Sequence, residues 1–487
     1  MKKNVLTVLA LILLTTTGCH KVLDKEPLPT ISPDNFFRTT EDAEAALAAA
    51  YDGIQQTGLY GQDLIMAGEQ PSDNCTTQNT DVLPLDKITW NPLTSQVGNI
   101  FRQSYISINR ANAVIQHVPR IVMDTTRRAQ IVAEAKALRA LNYFNLVQYY
   151  GDVPLRLPGD ESVALPRTSA DKLYERIIQD LIEAEAGAAR TYSSQDMLHG
   201  RFTKGGCNAL LARVHLTQRN WSAAQEAARK VITSGIYSLL TDFNSVFPAD
   251  NKVESVFEVE YAGLSQDGGN TVPDLVLPSP PATYSFPKFM LPTAELISQA
   301  DSNRDARWKN SGPVAGGRSY GSYLRGTSSN AADQGFFAYK WRGNPNGFNS
   351  ADNNYIIRYA DVLLMYAEAA NEIGGPSEDV LEKLNAVRVR ARLPALDLSF
   401  SQTADKASMR KEIELQRRLE LAFEGQRWPD LLRYARHELA DPSVDHTVTA
   451  LDVIAQQKGS PDVNYLYFPL PQSEINNNPK LTQTKGF

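Results

Sequence analysis

KGGCNALLARVHLTQRNWSAAQEAARKVITSG, residues 204–235, decides the fold class. Leu210, Leu211, Val214 and Leu216 recur on one helical face. Gln218-Arg219-Asn220 then breaks the pattern as a turn. Beyond it Ala223, Ala224, Ala227, Ala228, Val231 and Ile232 give a second helix whose inner face is made of small residues. Small side chains let two antiparallel helices approach closely, which is how a tetratricopeptide unit packs.

Outward from that pair the helical period continues. A second pair runs from Tyr355 to Ala391, with Leu363, Tyr366, Ala367 and Ala370 before the turn Gly374-Gly375-Pro376, and Val380, Leu381, Leu384 and Val387 after it. Single helices are predicted over Glu41–Thr57, Val97–Val118, Arg127–Tyr150 and Ser169–Ala189. Two clear pairs far apart in sequence imply a mostly α protein. The expected architecture is a divergent, tetratricopeptide-like helical-repeat scaffold with long irregular loops and a few short strands, not a regular solenoid. Glu254 to Tyr261 reads as one of those strands.

Periodicity fails in two places. From Ala262 to Asp352 only Leu291–Ala300 reads as helix, and prolines and glycines punctuate the rest. Ten aromatic residues fall between 284 and 341, a density well above the 9% of the whole chain. Tyr60–Val97 is a second loop-rich stretch, carrying Asp73, Asn74, Gln78, Asn79, Trp90 and Asn91. Long irregular segments on a regular scaffold are where function concentrates.

The N-terminus reads as an export signal. Lys2 and Lys3 precede an apolar run from Val5 to Leu14, which is too short to span a bilayer. Thr17-Gly18-Cys19 follows, and small residues directly before a Cys resemble a bacterial lipoprotein cleavage site. Cys19 is then the lipidated residue, 1–18 the signal peptide and 19–33 a tether. Acidic residues number 55 and basic ones 49, a net charge of −6, which argues against nucleic acid as a partner. Three cysteines make no disulfide framework. A bridge between Cys75 and Cys207 stays open, although Cys207 sits in a helical run where a buried thiol is the plainer reading.

Signals for catalysis are weak. Gly317-Arg318-Ser319-Tyr320-Gly321 matches G-x-S-x-G, but no strand–helix elbow frames it. Asp301, Asn303 and Asp305 open like a calcium loop, yet Ala306 and Gly312 stand where Gly and Glu are needed. No histidine pair has metal-ligand spacing, so neither metal nor cofactor is expected. Scattered carboxylates keep a lipid-anchored glycoside hydrolase as an alternative. What remains is a binding surface. Aromatic faces stack on the C–H faces of sugars, and amides and guanidinium groups satisfy hydroxyls. Trp90, Tyr284, Tyr320 and Tyr323 are the expected stacking residues, and Asn91 and Arg318 the expected hydroxyl contacts. The two loop-rich stretches are expected to face each other as a shallow platform.

Three ordered motifs carry a family resemblance. Arg358-Tyr359-Ala360-Asp361-Val362-Leu363-Leu364-Met365-Tyr366-Ala367-Glu368-Ala369 resembles the helix shared by SusD/RagB-type outer-membrane lipoproteins of Bacteroidetes. Arg418-Leu419-Glu420-Leu421-Ala422-Phe423-Glu424-Gly425-Gln426-Arg427-Trp428-Pro429-Asp430-Leu431-Leu432-Arg433 is similar to their second motif. Phe468-Pro469-Leu470-Pro471-Gln472-Ser473-Glu474-Ile475, with Asn478-Pro479-Lys480-Leu481, resembles their closing segment. Gly200-Arg201-Phe202-Thr203-Lys204 and Asn109-Arg110-Ala111-Asn112 also fit, whereas Phe101 stands where family members often carry Trp. The resemblance implies a SusD-like fold divided into an N-terminal helical region, 34–250, and a C-terminal region, 251–487, that includes the loops 262–352. It implies no catalysis and a role in capturing glycans or other nutrients at the cell surface. It further implies a SusC-like TonB-dependent transporter as partner, over which the lipoprotein sits; a purely structural lid is the remaining alternative. Arg418, Glu420, Glu424, Arg427, Asp430 and Arg433 recur at three- to four-residue steps and read as ion pairs that tie loops down, not as ligand contacts.

Overall fold

The computed structural model describes residues 36–160, 162, 164–192, 200–263 and 268–487. The signal peptide, Cys19 and the tether to residue 33 lie outside the described residues. Among the described residues the expected helices all form. They are α1 (Thr40–Gln55), α3 (Ser95–His117), α4 (Thr125–Tyr150), α5 (Ala170–Gly187), α6 (Lys204–Thr217), α7 (Trp221–Thr233), α8 (Tyr359–Gly374) and α9 (Glu378–Arg390), with a short helix at Ala294–Gln299; α2 (Asp63–Glu69), in a stretch that reads as loop, and α10 (Lys406–Leu421), α11 (Arg427–Ala440) and α12 (Ala450–Lys458) add to them. None is long and apolar enough to cross a membrane.

Local chemistry sets the boundaries. Thr39 and Thr449 each start a helix with a capping box closed by Asp42 and Asp452. Thr203, Ser377 and Asp405 cap α6, α9 and α10 by accepting a backbone N–H. Gly375, at φ 79°, takes the left-handed turn that ends α8, and Pro376 bars its continuation. The alanine face of α7, with Ala224, Ala227 and Ala228 buried, packs on α6 and on α8, joining the two helix pairs across the loops between them. Cys75 and Cys207 are separate buried thiols.

The strands are short. β1 (Cys75–Thr76) pairs with β3 (Leu291–Pro292), and β2 (Ser255–Val259) pairs with β8 (Asn354–Arg358), both antiparallel. A four-stranded meander, β4 (Gly312–Val314), β5 (Gly317–Tyr320), β6 (Tyr323–Thr327) and β7 (Gln334–Ala338), occupies the middle of the stretch whose sequence reads as irregular. The G-x-S-x-G segment is β5 and its turn, with Ser319 buried in the sheet instead of raised on an elbow. Asp305 of the calcium-like run is committed to buried Arg307 at 2.7 Å.

Ion pairs lock the helices to these strands. Arg358 closes β8 and is 1% exposed. It donates to Glu424 at 2.8 Å, Glu254 at 2.9 Å and Glu420 at 2.6 Å. Arg390 also donates to Glu254, at 3.1 Å, and to Glu420. A second network joins Arg417 to Asp361 at 2.8 Å and Asp430 at 3.2 Å, with Arg433 bridging Asp430 and Glu368. Burial pushes the Glu420 carboxyl up, but Arg390, Arg358 and Arg307 outweigh it and hold it down to about 2.

A depressed carboxyl stabilises the fold above its unfolded value, about 4.3, and that stability is lost as pH falls towards 2. Removing one member of a buried pair leaves the others uncompensated, at a cost of about 3–5 kcal/mol. Glu420→Gln should therefore lower the unfolding free energy in urea by that amount at pH 7. The gap to wild type should narrow steadily between pH 4.5 and pH 2.5; a gap independent of pH would show that Glu420 does not act through its charge.

Candidate functional site

The two loop-rich stretches meet. Beyond the β1–β3 pairing, Thr77 Oγ1 donates to the Lys288 carbonyl at 2.9 Å and Asn79 Nδ2 to the Pro287 carbonyl at 2.8 Å. The first stretch is held from below. Asp73 accepts from Arg427 Nε and Nη2 at 2.8 and 2.9 Å, a fork-to-fork pair. Arg418 donates to Asn74 Oδ1 at 2.9 Å and to the Asp73 carbonyl at 3.0 Å, and pairs with Glu295 of the second stretch. Gly68 lies so close to Gly425 that an added Cβ would sit 2.1 Å from the Gly425 carbonyl oxygen, so α2 can rest there only with glycine.

Two aromatic groups stand on these loops. In the first, Tyr284 stacks on Phe348 with ring centroids 5.3 Å apart and planes 22° from parallel, and Phe286 lies 6.1 Å from Phe348. Tyr284 is 50% exposed. A single buried carboxylate builds this group. Asp274 accepts the backbone N–H of Thr283 at 2.8 Å, Asn346 at 2.9 Å and Phe348 at 3.0 Å. Phe348 sits at φ 66°, a region that costs an aromatic residue about 1–3 kcal/mol and persists only where neighbours enforce it. Buried Lys288 donates to the Asp274 and Tyr284 carbonyls at 3.0 and 2.7 Å, with its Nζ over the Phe286 ring. Burial lowers the Lys288 amine to about 8 despite Asp333 and Asp274 nearby.

The second group lies on the meander. Trp308 stacks on Tyr320 at 5.2 Å and 23°, and both contact Phe336, at 5.3 and 5.9 Å. All three are half-buried, with Arg318 and Arg325 exposed on neighbouring strands. The groups adjoin: Gly316, in the β4–β5 turn, packs on the Pro280 carbonyl, and Asp333, before β7, accepts from the Ser279 N–H at 2.7 Å and from the Ser285 hydroxyl.

The expected site residues divide accordingly. Tyr284, Tyr320 and Arg318 lie on the two groups. Trp90 does not: it is 1% exposed and enclosed by Trp428, Tyr465 and Phe468, with centroids 6.1, 5.9 and 4.9 Å away. Tyr323 is 2% exposed, covered by Trp308 and Phe423. Asn91 makes a turn, its Oδ1 accepting from Leu93 N at 2.8 Å, beside the closing segment at Gln472. Trp90 and Tyr323 are thus core residues and Asn91 a turn residue, far from the role their composition suggested. Phe348, Phe286, Trp308 and Phe336 complete the two groups; Phe348 had a signal in its setting, an aromatic between Gly347 and Asn349.

Comparisons with known proteins follow the same outline. A family model described as the SusD family matches residues 296–487, and one described as "Starch-binding associating with outer membrane" matches 24–216. SusD-like protein P38 of Formosa agariphila is 30% identical, over 99% of this chain and 98% of the relative. The starch-binding protein SusD of Bacteroides thetaiotaomicron is 23% identical, covering 97% of this chain and 96% of its own. Among solved structures, a laminarin-binding SusD-like protein superposes with a TM-score of 0.72 at 25% identity, covering 93% of this chain and all of the other.

Trp90→Ala removes a ring from the core and should cost about 3–5 kcal/mol. Tyr284→Ala, at a half-exposed position, should change stability by no more than about 0.5 kcal/mol. Urea unfolding of the two variants checks the division; equal losses would mean that Tyr284 is also structural.

Proposed function

This chain belongs to the SusD family, and we propose that it is a non-catalytic glycan-binding lipoprotein of the outer membrane. In this reading Cys19 carries the lipid anchor. Captured oligosaccharide passes to a SusC-like TonB-dependent transporter over which the protein sits. The observation that carries the reading is the pair of adjoining aromatic groups, Tyr284–Phe348 on a loop and Trp308–Tyr320–Phe336 at the meander, partly exposed, with Arg307 beside Trp308 anchored to Asp305 and Glu420. Rigid rings need no ordering when a ligand arrives, so little of the stacking energy is lost. The resemblance to starch- and laminarin-binding relatives supports a glycan as the ligand. In this reading the chain divides into an N-terminal region, 34–250, and a C-terminal region, 251–487; the two family models match 24–216 and 296–487, one within each part apart from the tether.

Stacking on one ring contributes about 1–2 kcal/mol by analogy with other aromatic contacts. Calorimetric titration with a panel of oligosaccharides should find a ligand bound in the micromolar to millimolar range, with no release of reducing ends. Tyr284→Ala and Tyr320→Ala should each weaken that ligand about 5- to 30-fold while the melting temperature holds. Wild-type binding in both variants would place the site elsewhere.

Gentle detergent extraction of outer membranes should recover the protein with a large TonB-dependent barrel. Cys19→Ala should move it to the soluble fraction and abolish lipid labelling. Unchanged membrane partition of that variant would exclude the anchor, and recovery of the native protein without a barrel would exclude the stable complex.

A further inference from the structure

The outer face of the meander carries an arrangement that strand pairing alone disfavours. Arg318 of β5 stands directly opposite Arg325 of β6, and Arg325 directly opposite Phe336 of β7. Both guanidinium groups are exposed. Like charges facing each other across antiparallel strands repel, and a sheet normally separates or compensates them. Here neither is compensated. Arg318 reaches only a neutral oxygen, Asn310 Oδ1 at 3.3 Å, and Arg325 lies over the Phe336 ring, 5.7 Å from its centroid. Neither makes an ion pair among the described residues, nor does exposed Lys309 next to Trp308. Between Trp308 and Ala338 the single acidic residue is Asp333, which is buried and engaged by Ser279 and Ser285. An uncompensated cationic strip therefore flanks an aromatic stack, in a chain where acids outnumber bases.

We propose that this face binds the negatively charged groups of an acidic glycan, with Arg318 and Arg325 gripping a carboxylate or sulfate ester while a neighbouring sugar ring lies on the Trp308–Tyr320–Phe336 group. The proposal rests on the glycan-binding reading and names the class of glycan. A planar guanidinium pairs two of its N–H donors with two oxygens of one anionic group, a geometry that uronate carboxylates and sulfate esters both supply. An anion between the two arginines offsets their mutual repulsion, which adds to its binding.

The test titrates wild type and the double variant Arg318→Gln/Arg325→Gln with three probes: an oligogalacturonate for carboxylates, a carrageenan oligosaccharide for sulfate esters, and laminarihexaose as the neutral control. Wild type should bind one of the anionic probes more tightly than laminarihexaose, and that affinity should fall as salt rises to about 1 M, where the screening length shrinks to about 3 Å. The double variant should lose at least about tenfold for that anionic probe. Which anionic probe responds tells carboxylate from sulfate. Laminarihexaose binding equal to or tighter than that of both anionic probes and unaltered in the double variant would overturn the proposal and leave the glycan-binding reading standing. Failure of wild type to bind any of the three would overturn the proposal and count against that reading too. Each single Arg→Gln variant should keep or raise the melting temperature, because it relieves like-charge repulsion; a fall of several degrees would show that the arginines hold the sheet together and would overturn the proposal without reference to any ligand.

Discussion

Arg358 is the interaction on which the rest of the architecture depends. A guanidinium buried to 1% exposure is costly by itself, because burial strips its hydration. Three carboxylates from distant parts of the chain offset that cost: Glu254 just before β2, and Glu420 and Glu424 at and beyond the end of α10. The loop-bearing strand pair and the C-terminal helices can therefore only close together. Two further pairings pass the constraint outward. Arg417 and Arg433 fasten α10 and α11 to α8, and Arg427 and Arg418 reach beyond the helices to Asp73 and Glu295 on the two loop stretches. Charges that the sequence spaces along helices thus act mainly between elements, and in doing so they hold the aromatic loops in place.

That arrangement suits shallow binding. An open surface gains little from enclosure, so its affinity depends on groups being in place before the ligand arrives. Asp274 shows how this is achieved. One carboxylate takes three backbone N–H groups from two separate loops and so forces Tyr284 and Phe348 face to face, although Phe348 must occupy a strained backbone region. Hydrogen bonds to an ionised acceptor contribute more than neutral ones, about 1.5–3 kcal/mol, which is comparable to the strain they oppose.

How much of this was legible in the sequence follows from the range of the forces involved. Helices are written locally: alanine and leucine spacing, Thr and Ser caps, and Gly375-Pro376 place α1 and α3 through α9 to within a few residues, whereas α2 lies in a stretch that reads as loop. The meander is not, because its strands run three to five residues and are interrupted by Gly312, Gly317, Gly326 and Gly335, so no period-two pattern has room to appear. Pairing along the chain makes that sheet. Trp90 misled for a related reason. Thr89-Trp90-Asn91-Pro92 reads as a loop with an aromatic and an amide, and its burial depends on Trp428 and Phe468, more than three hundred residues away. Tyr284 could be read from its Pro-rich surroundings, since a loop rich in prolines has few ways of folding back over its own side chains.

The same reasoning separates what supports a surface from what a surface offers. Buried arginines among the described residues come as pairs and networks, because leaving a buried guanidinium without its carboxylate costs several kcal/mol. Arg307, Arg358, Arg417 and Arg433 all meet that condition. Exposed arginines are under no such demand, so their placement responds to other pressures. Arg318 and Arg325 could have stood apart on the meander at no cost to the core, since Leu324 and Phe337 on its opposite face supply the packing. Their register sets them side by side instead, next to the aromatic group in which Tyr320 and Phe336 stand on the sheet itself. Stability does not ask for that placement, and an anionic ligand would.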